Sequence, residues 1–99
     1  MSAIIVRYRV KPGRGEENAE LIRAVYAELA DVQPAGFRYA TFVLDDGVSF
    51  AHIAFTDEGA TAPLPHLAAF QAFQRGIAER CDDPPQVTSL ASLVGSYGL

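Results

Sequence analysis

A chain of 99 residues, 49% hydrophobic and 20% charged, is long enough for one domain, 1–99, and too apolar for disorder. A net charge of −4 and a pI near 4.9 disfavour nucleic acid and anionic membrane as partners. The single cysteine, Cys81, allows no internal disulfide and fits a reducing, cytoplasmic setting. The apolar run at the start of MSAIIVRYRV is too short for a signal peptide or a membrane span.

Ala3 to Val10 reads as a strand, with Ile4, Val6, Tyr8 and Val10 on one face and Ala3, Ile5, Arg7 and Arg9 on the other. Lys11-Pro12-Gly13-Arg14-Gly15 ends it. Glu16 to about Val32 is a helix: acidic residues favour its first turns, and Leu21, Ile22, Val25, Leu29 and Val32 form one stripe. Glu28 falls on the solvated side. Gln33-Pro34-Ala35-Gly36 stops the helix. Phe37 to Phe55 holds two β-rich apolar runs around Asp45-Asp46-Gly47, the strongest hairpin signal in the chain. Thr56 to Pro65 is a loop long enough to act as a lid. A second helix is expected from about Pro65 to Cys81, with Gly76 inside it explicable by a close backbone approach. Asp82-Asp83-Pro84-Pro85 is expected to break the chain. Gln86 to about Ser96 is expected to be the last strand, followed by the tail Tyr97–Leu99.

The order strand, helix, strand, strand, helix, strand is the α+β, ferredoxin-like βαββαβ pattern. Right-handed crossovers put both helices on one face of a four-stranded antiparallel sheet, with the first and third strands central. The hairpin is apolar on both faces, and nothing in the chain remains to cover the second. A second copy is the simplest cover, so a homodimer is expected.

The stretch Ile4–Ile22, IIVRYRVKPGRGEENAELI, resembles the first strand and helix of antibiotic biosynthesis monooxygenase domains, of the dimeric α+β barrel superfamily. The run Phe55–Ala60, then His66 with Phe70 and Phe73 beyond it, is similar to the same family. The resemblance implies a dimeric α+β barrel and a cofactor-free monooxygenase acting on a small aromatic or polyketide-type quinol or anthrone. It also implies that no metal or organic cofactor takes part. Haem-degrading members use a Trp and a helix-borne His near the position of Gln74. This chain has no Trp, and Gln74 supplies no imidazole, so haem degradation is disfavoured.

Two histidines are candidate general bases, His66 first and His52 second, because imidazole titrates near neutrality. His66 would open the second helix behind the lid; the alternative is simple packing against the loop. His52 lies mid-strand and needs a partner if buried: Ser89, Ser92, Thr41 or a tyrosine, unless it faces a cavity. Tyr8, Tyr26, Tyr39, Phe50, Phe70 and Phe73 suit either the core or the walls of a pocket for a flat ring. Arg7 and Arg9 share a strand face, where they would hold an anion or form ion pairs across an interface. Tyr39 or Arg7 would stabilise a developing oxyanion. Gly13-Arg14-Gly15 beside Glu16 and Glu17 makes a poor phosphate loop. Two histidines without C-x-x-C or H-x-x-x-H give no metal site. Cys81 beside two aspartates should have a raised thiol pKa, unlike a nucleophile. Two other readings share the pocket: a non-catalytic dimeric binding or scaffold domain, and a polyketide isomerase or cyclase.

Overall fold

The computed structural model describes residues 1–98; the tail residue Leu99 lies outside the described residues. β1 (Ser2–Val10) leads into α1 (Gly15–Val32), and β2 (Phe37–Val43) and β3 (Ser49–Thr56) form the hairpin. A short 3₁₀ turn (Leu64–His66) precedes α2 (Ala68–Arg75) and α3 (Ile77–Arg80), and β4 (Cys81–Leu90) closes the chain of elements. The sheet is antiparallel in the order β2-β3-β1-β4, so the first and third strands are central, as the ferredoxin-like pattern requires. No helix among the described residues is long and apolar enough to cross a membrane.

Side-chain alternation decides what each sheet face carries. Val6, Tyr8 and Val10 of β1 stand beside His52, Phe50 and Ala54 of β3 on the helix-covered face, where Ile22 and Val25 of α1 and Phe73 of α2 complete the core. Ile5, Ala51, Ile53, Ala40 and Phe42 occupy the opposite face, which no described element covers. The hairpin turn is closed by the Asp46 carboxylate, which accepts hydrogen bonds from the backbone N–H of Val48 and Ser49. The start of α1 is pressed against this turn. A Cβ on Gly15 would lie 2.1 Å from the Gly47 carbonyl oxygen, so only glycine fits there.

Two expectations are corrected. The second helix is not one rod from Pro65 to Cys81. Leu67 is extended (φ −90°, ψ 129°), which separates the 3₁₀ turn from α2, and Gly76 (φ −114°, ψ 11°) separates α2 from α3. A Cβ at Gly76 would come within 3.2 Å of the Arg80 guanidinium, which folds back beneath it, so glycine suits this position. The last strand is Cys81–Leu90 rather than Gln86–Ser96. Asp82 to Pro85 does not break it, because β4 is an edge strand and bulges absorb the prolines. Arg7 and Arg9 pair with Gln86 and Asp83, so Pro84 and Pro85 together oppose Tyr8. Pairing stops at Ala3 with Leu90 because β1 itself begins at Ser2, leaving 91–98 without a partner strand.

Glu28 also departs from the solvated role expected of it. Its carboxylate accepts hydrogen bonds from the backbone N–H of Ala68 (3.3 Å) and Ala69 (2.8 Å). No side chain of α2 caps that helix, so α1 supplies the cap and ties the two helices together.

Candidate functional site

A cavity of about 230 Å³ lies between the helix-covered face of the sheet and α2–α3. Ile4, Val6 and Ala54 form its floor, Leu64, Phe70, Phe73 and Ile77 its roof, and Pro85 and Val87 its side at β4. Val87 is 64% exposed, so the cavity opens at this edge. Four polar side chains reach the lining: Tyr8, Tyr39, His52 and Gln74. An apolar chamber with a few convergent polar groups is the usual form of a small-molecule site.

His52 sits at the centre of the polar end and is 5% exposed. Its Nε2 lies 2.7 Å from the Tyr8 hydroxyl, and its Nδ1 lies 2.5 Å from the Tyr39 hydroxyl and 3.2 Å from Thr41 Oγ1. Strand register makes this arrangement. Val6 faces His52 across β1–β3 and Thr41 faces it across β2–β3, so Tyr8 and Tyr39 stand one inward position away on either side. The chain of hydrogen bonds continues outward in both directions. Thr41 Oγ1 bonds the Tyr26 hydroxyl at 2.8 Å. On the other side Asn18 Nδ2 donates to Tyr8 at 2.9 Å, and Arg80 Nε donates to Asn18 Oδ1 at 3.0 Å. Arg80 also donates from Nη2 to the Phe73 carbonyl at 2.8 Å and lies over the Phe73 ring.

Burial governs the protonation states. It pushes the His52 imidazole down to about 4, so the ring is neutral at neutral pH. It raises both tyrosine hydroxyls well above their ordinary range; the Asn18 hydrogen bond and the Arg80 charge oppose this at Tyr8, and Thr41 opposes it at Tyr39. At rest the polar end of the cavity is uncharged. Cys81 is buried and its thiol pKa is raised, first by burial, with Asp82 and Asp83 adding to it against Arg80.

The structure brings together five of the residues picked from the sequence: His52, Tyr8, Tyr39, Phe70 and Phe73. Phe50 stacks behind Tyr8, with ring centroids 5.6 Å apart, and does not line the chamber. His66 is exposed at the end of the 3₁₀ turn and is outside the cavity lining. Arg7 is on the uncovered sheet face, in a shallow groove with Arg9, and Arg9 pairs with Asp83 at 3.0 Å. Among the described residues no three His, Cys, Asp or Glu side chains are grouped to hold a metal ion.

Asn18 and Arg80 were not picked out by sequence reasoning, yet both are almost fully buried. A signal for each exists. Asn18 precedes Ile22, Val25 and Leu29 at helical spacing, and Arg80 follows Phe73 and Ile77 at the same spacing. A polar residue in phase with a buried stripe must meet a buried partner.

Neither a protein-family model nor a curated protein matches the sequence. Solved structures do match it. A protein of Nitrosomonas europaea, provisionally named an antibiotic biosynthesis monooxygenase, is 20% identical with a TM-score of 0.75, over 94% of this chain and 99% of that one. The protein PA3566 of Pseudomonas aeruginosa is 22% identical with a TM-score of 0.73, over 94% of each chain. A variant of SnoaB, a cofactor-independent oxygenase from Streptomyces nogalater, is 17% identical with a TM-score of 0.64, over 96% of this chain and 97% of that one. Over nearly its whole length, this chain therefore has the same ferredoxin-like α+β fold as proteins bearing the antibiotic biosynthesis monooxygenase name.

Proposed function

We propose that this protein is a cofactor-independent oxygenase acting on a small phenol, quinol or related activated ring. One observation carries the reading: a buried imidazole, held at both nitrogens by tyrosine hydroxyls, at the polar end of an otherwise apolar chamber. The fold shared with SnoaB supports it. A chamber of about 150 Å³ accepts benzene, so about 230 Å³ suits one or two rings, and a three-ring anthrone would have to extend through the opening at β4.

The chemistry follows from charge. A ring hydroxyl or activated CH₂ gives its proton to the hydrogen-bonded chain through Tyr8, whose own proton passes to His52, the basic member. His52 is a weak base in the empty site. A phenolate or carbanion formed beside it supplies an opposite charge in a dry cavity, which raises its proton affinity as the proton moves. The carbanion reduces O₂ and forms a C–O bond. At a CH₂ carbon, loss of the second proton with O–O cleavage yields C=O and one water, so both oxygen atoms are accounted for. The tyrosine hydroxyls stabilise the anion by hydrogen bonding. Oxygen uptake with a panel of naphthols, hydroquinones and anthrones tests this. Uptake that falls at least about 100-fold in His52→Phe is expected, on the usual contribution of a general base. No uptake with any member of the panel contradicts it.

A second reading has its own support. Both ring nitrogens of His52 are already engaged and its pKa is low, as suits a binding domain without turnover. Ligand binding that leaves every panel member chemically unchanged, with and without O₂, would favour it; a rearranged product formed without O₂ would favour an isomerase or cyclase.

The protein is also proposed to be a cytoplasmic homodimer joined through the uncovered sheet face. Ile5, Ile53 and Phe42 lie there, and Leu93, Val94 and Tyr97 beyond β4 are exposed. So much apolar surface is unusual on a monomer. Sedimentation equilibrium at micromolar concentration is expected to give twice the chain mass; a monomer throughout contradicts it.

A further inference from the structure

The hydrogen-bonded chain through the site has a direction, and its buried end sets it. The Arg80 guanidinium can only donate. Its Nε bond to Asn18 Oδ1 therefore fixes the Asn18 amide, which turns its NH₂ group to Tyr8. The Tyr8 oxygen accepts from Asn18, and its own proton needs an acceptor. Tyr8 is 5% exposed, and its hydroxyl has two partners, Asn18 Nδ2 and His52 Nε2. Only Nε2 can accept. In the opposite direction Nε2–H would donate to Tyr8, and the Tyr8 proton would be buried without a protein acceptor, a costly arrangement.

The rest follows along the chain. With Nε2 accepting, neutral His52 carries its proton on Nδ1 and donates to the Tyr39 oxygen, with Thr41 Oγ1 as a more distant acceptor. The Tyr39 proton is then not needed by His52. Tyr39 is only half-buried and lines the cavity, so this proton can be offered to whatever enters. We propose that Arg80 and Asn18 are positioning residues that set the direction of hydrogen bonding through Tyr8 and His52, making the Tyr39 hydroxyl the donor to an oxygen atom of the ligand. The inference rests on reading the cavity as a ligand site and deepens it. It selects ligands with a carbonyl or phenolate oxygen at the edge of one or two rings. It also separates the two tyrosines: Tyr8 orients His52, and Tyr39 meets the ligand oxygen.

The first test needs no ligand. Long-range ¹H–¹⁵N correlation of the His52 ring at pH 7 is expected to show an unprotonated Nε2 and a protonated Nδ1. In Asn18→Asp the new carboxylate still pairs with Arg80 but accepts the Tyr8 proton, so the protonated nitrogen should switch to Nε2. A protonated Nε2 in the wild type, or no switch in Asn18→Asp, overturns the proposal. The second test uses 1-tetralone and tetralin, which share a two-ring frame and differ in one carbonyl oxygen. Tyr39→Phe is expected to weaken 1-tetralone binding about five- to tenfold and to leave tetralin binding unchanged. Equal loss for both probes, or the selective loss in Tyr8→Phe instead, overturns the donor assignment. If neither probe binds the wild type, the cavity reading fails and the Tyr39 assignment with it. A reversed tautomer in a protein that does bind 1-tetralone refutes the direction alone.

Discussion

Replacing Arg80 with leucine is expected to destabilise the protein by about 2–6 kcal/mol, because two buried acceptors lose their donor and each costs about 1–3 kcal/mol unpaired. These are Asn18 Oδ1 and the Phe73 carbonyl, and Asn18 is fully buried while Arg80 is 2% exposed. Leucine fills much of the volume but donates nothing. Lysine should recover only part of the loss, since one ammonium on a flexible stem cannot reproduce the guanidinium fork that serves both acceptors. Urea unfolding of the wild type and both variants checks the order. A loss below about 1 kcal/mol for Arg80→Leu would mean that water reaches these acceptors.

Stability is expected to fall by about 3 kcal/mol between pH 6.5 and pH 4, from a His52 pKa lowered from 6.5 to about 4 at about 1.4 kcal/mol per unit. The sign follows from proton binding. In this window the unfolded chain protonates His52 and the folded protein does not, so acid favours unfolding; below about pH 4 both states carry the proton and the contribution is spent. The groups facing the ring are Tyr8 from β1, Tyr39 and Thr41 from β2 and Phe73 from α2, none of which titrates there. Glu16, Glu17, Glu79 and Asp46 have carboxyls held below their usual range by Arg23, Arg14 and Ser49, so their contributions begin to fade only at the acid end of this window, near their ordinary values of 4.5 and 3.8, and continue to be lost below it. His52→Gln should flatten the slope between pH 6.5 and 4.5. A wild-type profile already flat there would mean that His52 protonates in the folded state without penalty.

The fold was legible because its strongest signals are local. Alternation in β1, the stripe of α1 and the Asp-Gly turn each act over a few residues, and together they leave the ferredoxin-like order. The two corrected boundaries depend on how the chain packs in three dimensions. At Gly76 the Arg80 guanidinium folds back toward the space a Cβ would take, and Pro84 and Pro85 stay in β4 because an edge strand bulges opposite Tyr8. Neither arrangement is visible in the segment itself.

The site was half legible for the same reason. Aromatic residues at strand and helix positions announced either a core or an apolar wall, and His52 stood out as a mid-strand polar residue whose face the sequence left open. What remained hidden was register. Only the pairing of β1 with β3 and of β2 with β3 shows that two tyrosines from different strands close on one imidazole. His66 has a loop and a helix start around it but no buried surroundings, which local sequence does not distinguish from a site.

The most direct test of the account is a crystal structure with 1-naphthol at saturating concentration. The rings should lie between Val6 and Phe73, with the hydroxyl within hydrogen-bonding distance of Tyr39. A naphthol found only in the groove beside Arg7 and Arg9, or no bound molecule at all, would contradict the claim that the chamber around His52 is the functional site.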